Sequence, residues 1–252
     1  MGMEHRVAHS TTETCPEADR AGWVRESRFG RWFLGTDIWR KYVLAEALDT
    51  LVALAGGRAG RGGHILDIGC GQGTAAPLLD GHFRPGRITG IDIDSELITD
   101  GRALSADWPL SAELVLTEGC ATALPLEDAS VDLVLCHQLL HHMVAQRRAL
   151  AEMRRVLRPG GLLLVAESCR CFIESSLVRA LFRHPGKSQR TAAGYVGLVR
   201  DAGFRLDDQD IVTETPWWSL PDMGLLGRVQ QRTAAGVNGE PTEVLMVAER
   251  TR

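Results

Sequence analysis

The chain lacks a basic excess, a long apolar run and a lysine in its glycine loop, and each absence removes a class of function. Its 252 residues carry 28 Lys plus Arg against 32 Asp plus Glu, a net charge of −4. A nucleic-acid partner ordinarily requires a basic surplus, so none is expected. No stretch approaches the roughly 18 consecutive apolar residues of a membrane span. The opening MGMEHRVAHS has no apolar core of a secretory leader. A cytoplasmic protein with no membrane partner is therefore expected. The six cysteines are scattered, and Cys169 and Cys171 have no second pair at a suitable spacing. Two thiols fall short of the roughly four ligands of structural zinc, so no metal is expected and the cysteines are read as reduced thiols.

The pattern that remains is one of alternation. Residues 1–20 are polar and without period, and are expected to be a flexible tail; residues 21–60 carry apolar residues at threes and fours, a helical extension or lid that Gly30 and Gly35 are expected to break. Residues 61–252 then form the main domain. Short apolar strands are expected at His64–Ile68, Arg87–Ile93, Glu113–Thr117, Val131–Cys136 and Gly161–Glu167, with helices at Thr74–Leu79, Ser95–Ser105, Met143–Leu157 and Thr191–Ala202. Phe204–Thr213 and Glu243–Ala248 read as final strands, paired antiparallel. Strand and helix in turn imply right-handed crossovers, so the fold expected is a doubly wound α/β sheet. Its ligands sit beyond the carboxyl ends of the strands. Residues 168–190 exceed what such a fold needs and are read as a substrate-lid insertion.

The glycine loop narrows the ligand. In ILDIGCGQGT, Gly69, Gly71 and Gly73 follow an apolar run directly. A phosphate loop would continue into Gly-Lys-Ser/Thr, and no lysine follows. A dinucleotide fingerprint needs a third glycine where Thr74 stands. Asp92, 19 residues after Gly73, ends a second strand where an acid accepts both hydroxyls of a ribose. Asp94, or Ser95, is assigned to the cap of the next helix.

Four ordered blocks, ILDIGCGQGT, RITGIDIDSEL, EGCATALPLEDASVDLVLCHQLLHHM and VLRPGGLLLVAE, resemble the class I S-adenosylmethionine-dependent methyltransferases. The resemblance is to the small-molecule subgroup that includes quinone-biosynthesis C-methyltransferases. It implies a mostly parallel seven-stranded Rossmann-like sheet, S-adenosylmethionine as cofactor and S-adenosylhomocysteine as product. Residue by residue, it implies that Asp67, Gly69, Cys70, Gly71 and Gly73 cradle the methionine end of the cofactor. Asp92 then takes the ribose, and Ile93 lies beside the adenine. Cys120 and Ala121 fall where the family usually has Asp-Ala against the adenine ring, and a thiol is a much weaker acceptor than a carboxylate.

Methyl transfer is an in-line displacement from an activated donor, so positioning dominates and a base is needed only when the acceptor must lose a proton. His137, at the end of the fourth strand, is the first candidate base or a lining residue of the cofactor pocket; His141 and Glu167 are further catalytic candidates. Trp23, Trp32, Phe33 and Trp39, with Trp217 and Trp218, are read either as walls for a small apolar or aromatic acceptor or as plain packing. Cys169 and Cys171 also admit capture of a soft element such as arsenic. A non-catalytic S-adenosylmethionine-binding protein and a nicotinamide-dependent oxidoreductase are the alternatives, and monomer and homodimer are both compatible with the sequence.

Overall fold

The computed structural model describes residues 17, 23–186, 188–220 and 239–251. Apart from Glu17, the expected tail lies outside them. Strands β1 (His64–Ile68), β2 (Arg87–Asp92), β3 (Glu113–Glu118), β4 (Val131–His137), β5 (Leu157–Ser168), β6 (Phe204–Arg205), β7 (Ile211–Glu214) and β8 (Glu243–Arg250) form one sheet. Its order is β3-β2-β1-β4-β5-β8-β6, with β7 also paired to β8. β1 to β5 pair parallel, and β8 runs antiparallel to β5, β6 and β7. The seven expected strands become eight because Phe204–Thr213 is not one strand. The turn Asp208–Asp210 divides it, held by Arg200 on Asp208 and Arg58 on Asp210. The two pieces lie along the same edge of β8.

Helices α1 (Arg28–Leu34), α2 (Glu46–Ala55), α3 (Ala76–Phe83), α4 (Ser95–Ser105), α5 (Gln146–Val156), α6 (Arg170–Ile173), α7 (Ser176–Leu181) and α8 (Ala192–Asp201) complete the layers, with a π-helical stretch at Trp39–Ala45. Leu150 and Met153 of α5, with Tyr195 and Leu198 of α8, bury one sheet face. Leu48 and Leu51 of α2, with Leu79 of α3, bury the other. A parallel sheet covered on both sides needs continuous apolar strands, and Leu133 to Cys136 of β4 are all buried.

Local signals fix the helix starts. Asp94 caps α4 by accepting from Glu96 N at 3.0 Å, and Thr191 caps α8 by accepting from Gly194 N at 3.1 Å. In the extension, Gly35 ends α1 as expected. Gly30 instead lies inside it, where a Cβ would stand 2.4 Å from Glu26 Cγ; this glycine serves close packing, not a break. α5 starts at Gln146, later than expected, because Leu140–His142 forms a separate 3-10 turn. Among the described residues no helix is long and apolar enough to cross a membrane.

Candidate active site

The carboxyl ends of β1, β2 and β4 open into a cavity of about 810 Å³, within the roughly 300–1,000 Å³ typical of small-molecule sites. Gly69 and Gly71 lie on its floor, whereas Gly73 does not line it; the three have φ of 74°, 54° and 74°, a left-handed region that side chains disfavour. A Cβ on Gly69 would stand 2.7 Å from Leu139 Cδ1, and one on Gly73 2.9 Å from Leu116 Cδ2. At Gly71 a Cβ would meet no protein atom within 4 Å. The outer glycines therefore serve packing, while the middle one leaves bare backbone facing the cavity.

Two carboxylates stand over this floor. Asp92 Oδ2 accepts from Gly71 N at 2.8 Å and Oδ1 from Asp94 N at 2.9 Å, so one side chain ties the loop to the start of α4. Each oxygen keeps a lone pair for a ligand. Burial raises its carboxyl above the usual range, against the pull of these two N–H groups. Asp67, 5% exposed, lines the cavity with no hydrogen bond or ion pair among the described residues. Burial first, then the neighbouring Asp92, pushes its carboxyl up to about 7. Cys70 lies beside them, its thiol raised by burial. Ile93 lines the wall, as do Cys120 and Ala121.

The Cys120 sulfur is disulfide-bonded and stands 3.2 Å from Thr122 Oγ1, where the hydroxyl must be the donor. The reading of reduced thiols is therefore corrected at Cys120. It holds for Cys70, Cys136, Cys169 and Cys171, while Cys15 lies outside the described residues.

His137 reaches the cavity at the end of β4. Its ring packs edge-on against Trp39 at 5.5 Å, and its Nε2 is buried without a partner among the described residues. Burial lowers its pKa to about 4, which leaves it neutral and a weak base at neutral pH. Next to it, Gln138 takes φ of 53°, an uncommon conformation for a non-glycine residue. Its amide is held from both sides: Nε2 donates to Glu243 at 3.1 Å, and Oε1 accepts from Ser168 N at 3.0 Å.

Glu167 does not line the cavity. It is fully buried, and both oxygens are taken: Oε1 accepts from Leu139 N and Leu140 N at 2.9 and 2.6 Å. Oε2 lies 2.7 Å from His141 Nδ1 and accepts from His141 N at 3.3 Å. Such a group cannot touch an acceptor; it fastens the turn after β4. His141 itself does line the cavity, beside His142 and His184.

The far wall is aromatic. Trp23, Phe33 and Trp39 line it from the extension, and Phe172 and Phe182 from residues 168–190. Phe182 packs edge-on against Phe29 and Phe33 at 5.6 and 5.7 Å, and Trp218 on Phe172 at 5.5 Å. Trp32 is the exception, 64% exposed on the outside. Sequence reading missed His184, because its approach to His141 and His142 crosses the insertion and leaves no local signal.

Comparison with known proteins agrees with this geometry. Residues 66–165 match the family model described as a methyltransferase domain. The chain is 34% identical over 150 residues to the O-methyltransferase resE of Aspergillus sclerotiorum, a match covering 58% of this chain and 56% of that protein. It is 33% identical over 112 residues to a demethylmenaquinone methyltransferase of Symbiobacterium thermophilum, covering 44% of this chain and 45% of that one. The chain spans about half the length of these curated relatives. A crystal structure of a SAM-dependent methyltransferase from Aquifex aeolicus shares the fold at a TM-score of 0.59 and 16% identity, over 87% of this chain and 96% of that one. Over residues 66–165 the chain thus matches a methyltransferase domain, in keeping with the family its four sequence blocks resemble.

Proposed function

We propose that this protein transfers a methyl group from S-adenosylmethionine to a small, largely apolar or aromatic acceptor by in-line displacement. The observation that carries the reading is one continuous cavity with a glycine floor and two carboxylates at one end and an aromatic wall at the other. The residues fit the cofactor. Asp67 lines the cavity without a side-chain partner among the described residues, and in its ionised form, above about pH 7, it suits the cationic methionine end. Bare backbone at Gly71 admits close approach, and the spare lone pairs of Asp92 match a ribose diol. The bound cofactor supplies an electrophilic methyl on a sulfonium.

What the chain contributes is position and exclusion of water. The aromatic wall holds a flat or greasy acceptor against the mouth of the glycine loop. His137, kept neutral by burial, offers Nε2 as a hydrogen-bonding point. Glu167 acts at one remove, by setting the turn that carries His141.

Asp67 gives the reading a pH signature. Its charged neighbour is Asp92, and the thiols of Cys70 and Cys136 nearby stay protonated because burial raises both. As pH falls through about 7, Asp67 takes a proton and loses its attraction for a cation. Affinity for S-adenosylhomocysteine is expected to weaken by about tenfold from pH 8 to pH 6, and to be flat in Asp67→Asn. Calorimetric titration measures it; no binding at any pH would remove the reading. Stability of the free protein runs the other way. The unfolded chain releases this proton near 3.8 and the folded one near 7, so this carboxyl costs stability as pH rises across that window.

A further inference from the structure

Three imidazoles converge where the sequence offered no metal signal. His141 and His142 stand on the turn Leu140–His142 after β4, and His184 comes back over them from the segment following α7. One ring nitrogen from each lies within 4.8 Å of the other two. The rings are 4.3, 4.7 and 5.2 Å apart by centroid, and all three line the cavity. Among the described residues, the ring nitrogens of His142 and His184 have no hydrogen-bond partner. His141 is buried and His142 and His184 are partly buried, so the unpartnered nitrogens of the latter two are open to a ligand in the cavity.

The geometry points to a first-row divalent transition metal held by His141, His142 and His184, with its open positions facing the acceptor end of the cavity. The orientation of His141 is the first support. Its Nδ1 faces a carboxylate oxygen of Glu167 at 2.7 Å; Glu167 only accepts, so Nδ1 carries the hydrogen and Nε2 presents its lone pair. A histidine held by a carboxylate in this way is the usual outer-shell arrangement of a metal ligand. Fastening of His184 is the second. Ser188 Oγ donates to His141 O at 2.9 Å, and Gln146 Nε2 donates to Leu140 O and Ser188 O at 2.8 and 2.7 Å. These bonds tie the returning segment to the turn that carries the other two ligands.

The donor set decides the class of ion. Three nitrogens and no carboxylate in contact suit Zn²⁺, Co²⁺, Fe²⁺ or Ni²⁺, not Mg²⁺ or Ca²⁺. Metal–nitrogen bonds of about 2.0–2.1 Å require the three rings to close slightly on the ion. Three protein ligands leave room for a donor atom of the acceptor, as in catalytic sites. An acceptor oxygen or sulfur bound there would lose its proton more readily, a service that His137 is too weak a base to give. The site stands on geometry alone, whereas this role for it rests on the methyl-transfer reading.

The test strips the full chain with a chelator and titrates it with Co²⁺, followed by visible absorption, and with Zn²⁺, followed by calorimetry. Binding of S-adenosylhomocysteine is measured on the same stripped protein. One Co²⁺ per chain is expected, with d–d bands that Zn²⁺ abolishes. The double variant His142→Ala, His184→Ala is expected to weaken Co²⁺ binding by at least about 100-fold while keeping its melting temperature, and His141→Ala alone by about 10- to 100-fold. Equal Co²⁺ affinity in the folded double variant, or no bands in a protein that binds S-adenosylhomocysteine, overturns the metal site. Bands without S-adenosylhomocysteine binding uphold the site and overturn the methyl-transfer reading instead.

Discussion

Replacing Asp92 with alanine is expected to weaken S-adenosylhomocysteine binding by about 100-fold or more, with the fold retained. Hydrogen bonds to a charged group contribute about 1.5–3 kcal/mol each, and two ribose hydroxyls together account for about 3 kcal/mol, or about 100-fold. The side chain also has an internal task. It accepts from Gly71 N at 2.8 Å and Asp94 N at 2.9 Å, so its loss loosens the bare backbone at the cavity floor as well. Both N–H groups sit at the edge of the cavity, where water can replace the carboxylate, which keeps the cost to stability small. Calorimetry of the variant beside its thermal melt separates the two effects. An affinity within threefold of the parent would take Asp92 out of the cofactor site.

Glu167→Gln is expected to behave in the opposite manner, as a stability variant. The carboxylate is fully buried and accepts from three backbone N–H groups and from His141 Nδ1. An amide can turn only one oxygen toward these donors; its NH₂ then faces an N–H, and buried donors are left unpaired. Breaking one partner of a buried charged network costs about 3–5 kcal/mol. For a domain of this size that lowers the melting temperature by about 10 °C, which scanning calorimetry reads directly. Were Glu167 a residue that touches the acceptor, the variant would melt like the parent and lose only turnover. A melting temperature within about 2 °C of the parent would therefore reverse its assignment as a positioning residue.

The contrast between these two acids marks how far the sequence could be read. The position of Asp92 between the glycine loop and α4 was legible because its signals are local: a short apolar strand, a glycine loop a fixed distance before it, and a cap residue two places later. The same locality gave β1 at His64–Ile68 and α4 at Ser95–Ser105 with their observed bounds. Glu167 was visible only as an acid at the end of a strand. Its engagement with the turn after β4 depends on the parallel pairing of β4 with β5, which brings together residues far apart in the chain. The split of Phe204–Thr213 into two strands had a local mark, the polar run Asp207–Asp210, but the ion pairs that hold the break come from Arg200 and from Arg58, far away in sequence. The three-histidine cluster is the extreme case: His141 and His142 stand side by side in LLHHM, but nothing near His184 says that the insertion folds back onto them.

The aromatic wall lies between these cases. Spacing alone could not tell a lid from packing, since an aromatic stripe at helical period fits both. The structure separates the residues one by one. Phe33 and Trp39 face the cavity while Trp32, on the same stretch, faces solvent.

The central claim, methyl transfer to a small apolar acceptor, is tested most directly by incubating the full chain with methyl-labelled S-adenosylmethionine and a fractionated cell extract. Mass spectrometry then follows the label. The account predicts label in an apolar small-molecule fraction, S-adenosylhomocysteine formed in equal amount, and neither product with Asp92→Ala. Label in no fraction, from a protein that binds S-adenosylhomocysteine, would contradict it and leave a binding protein without turnover.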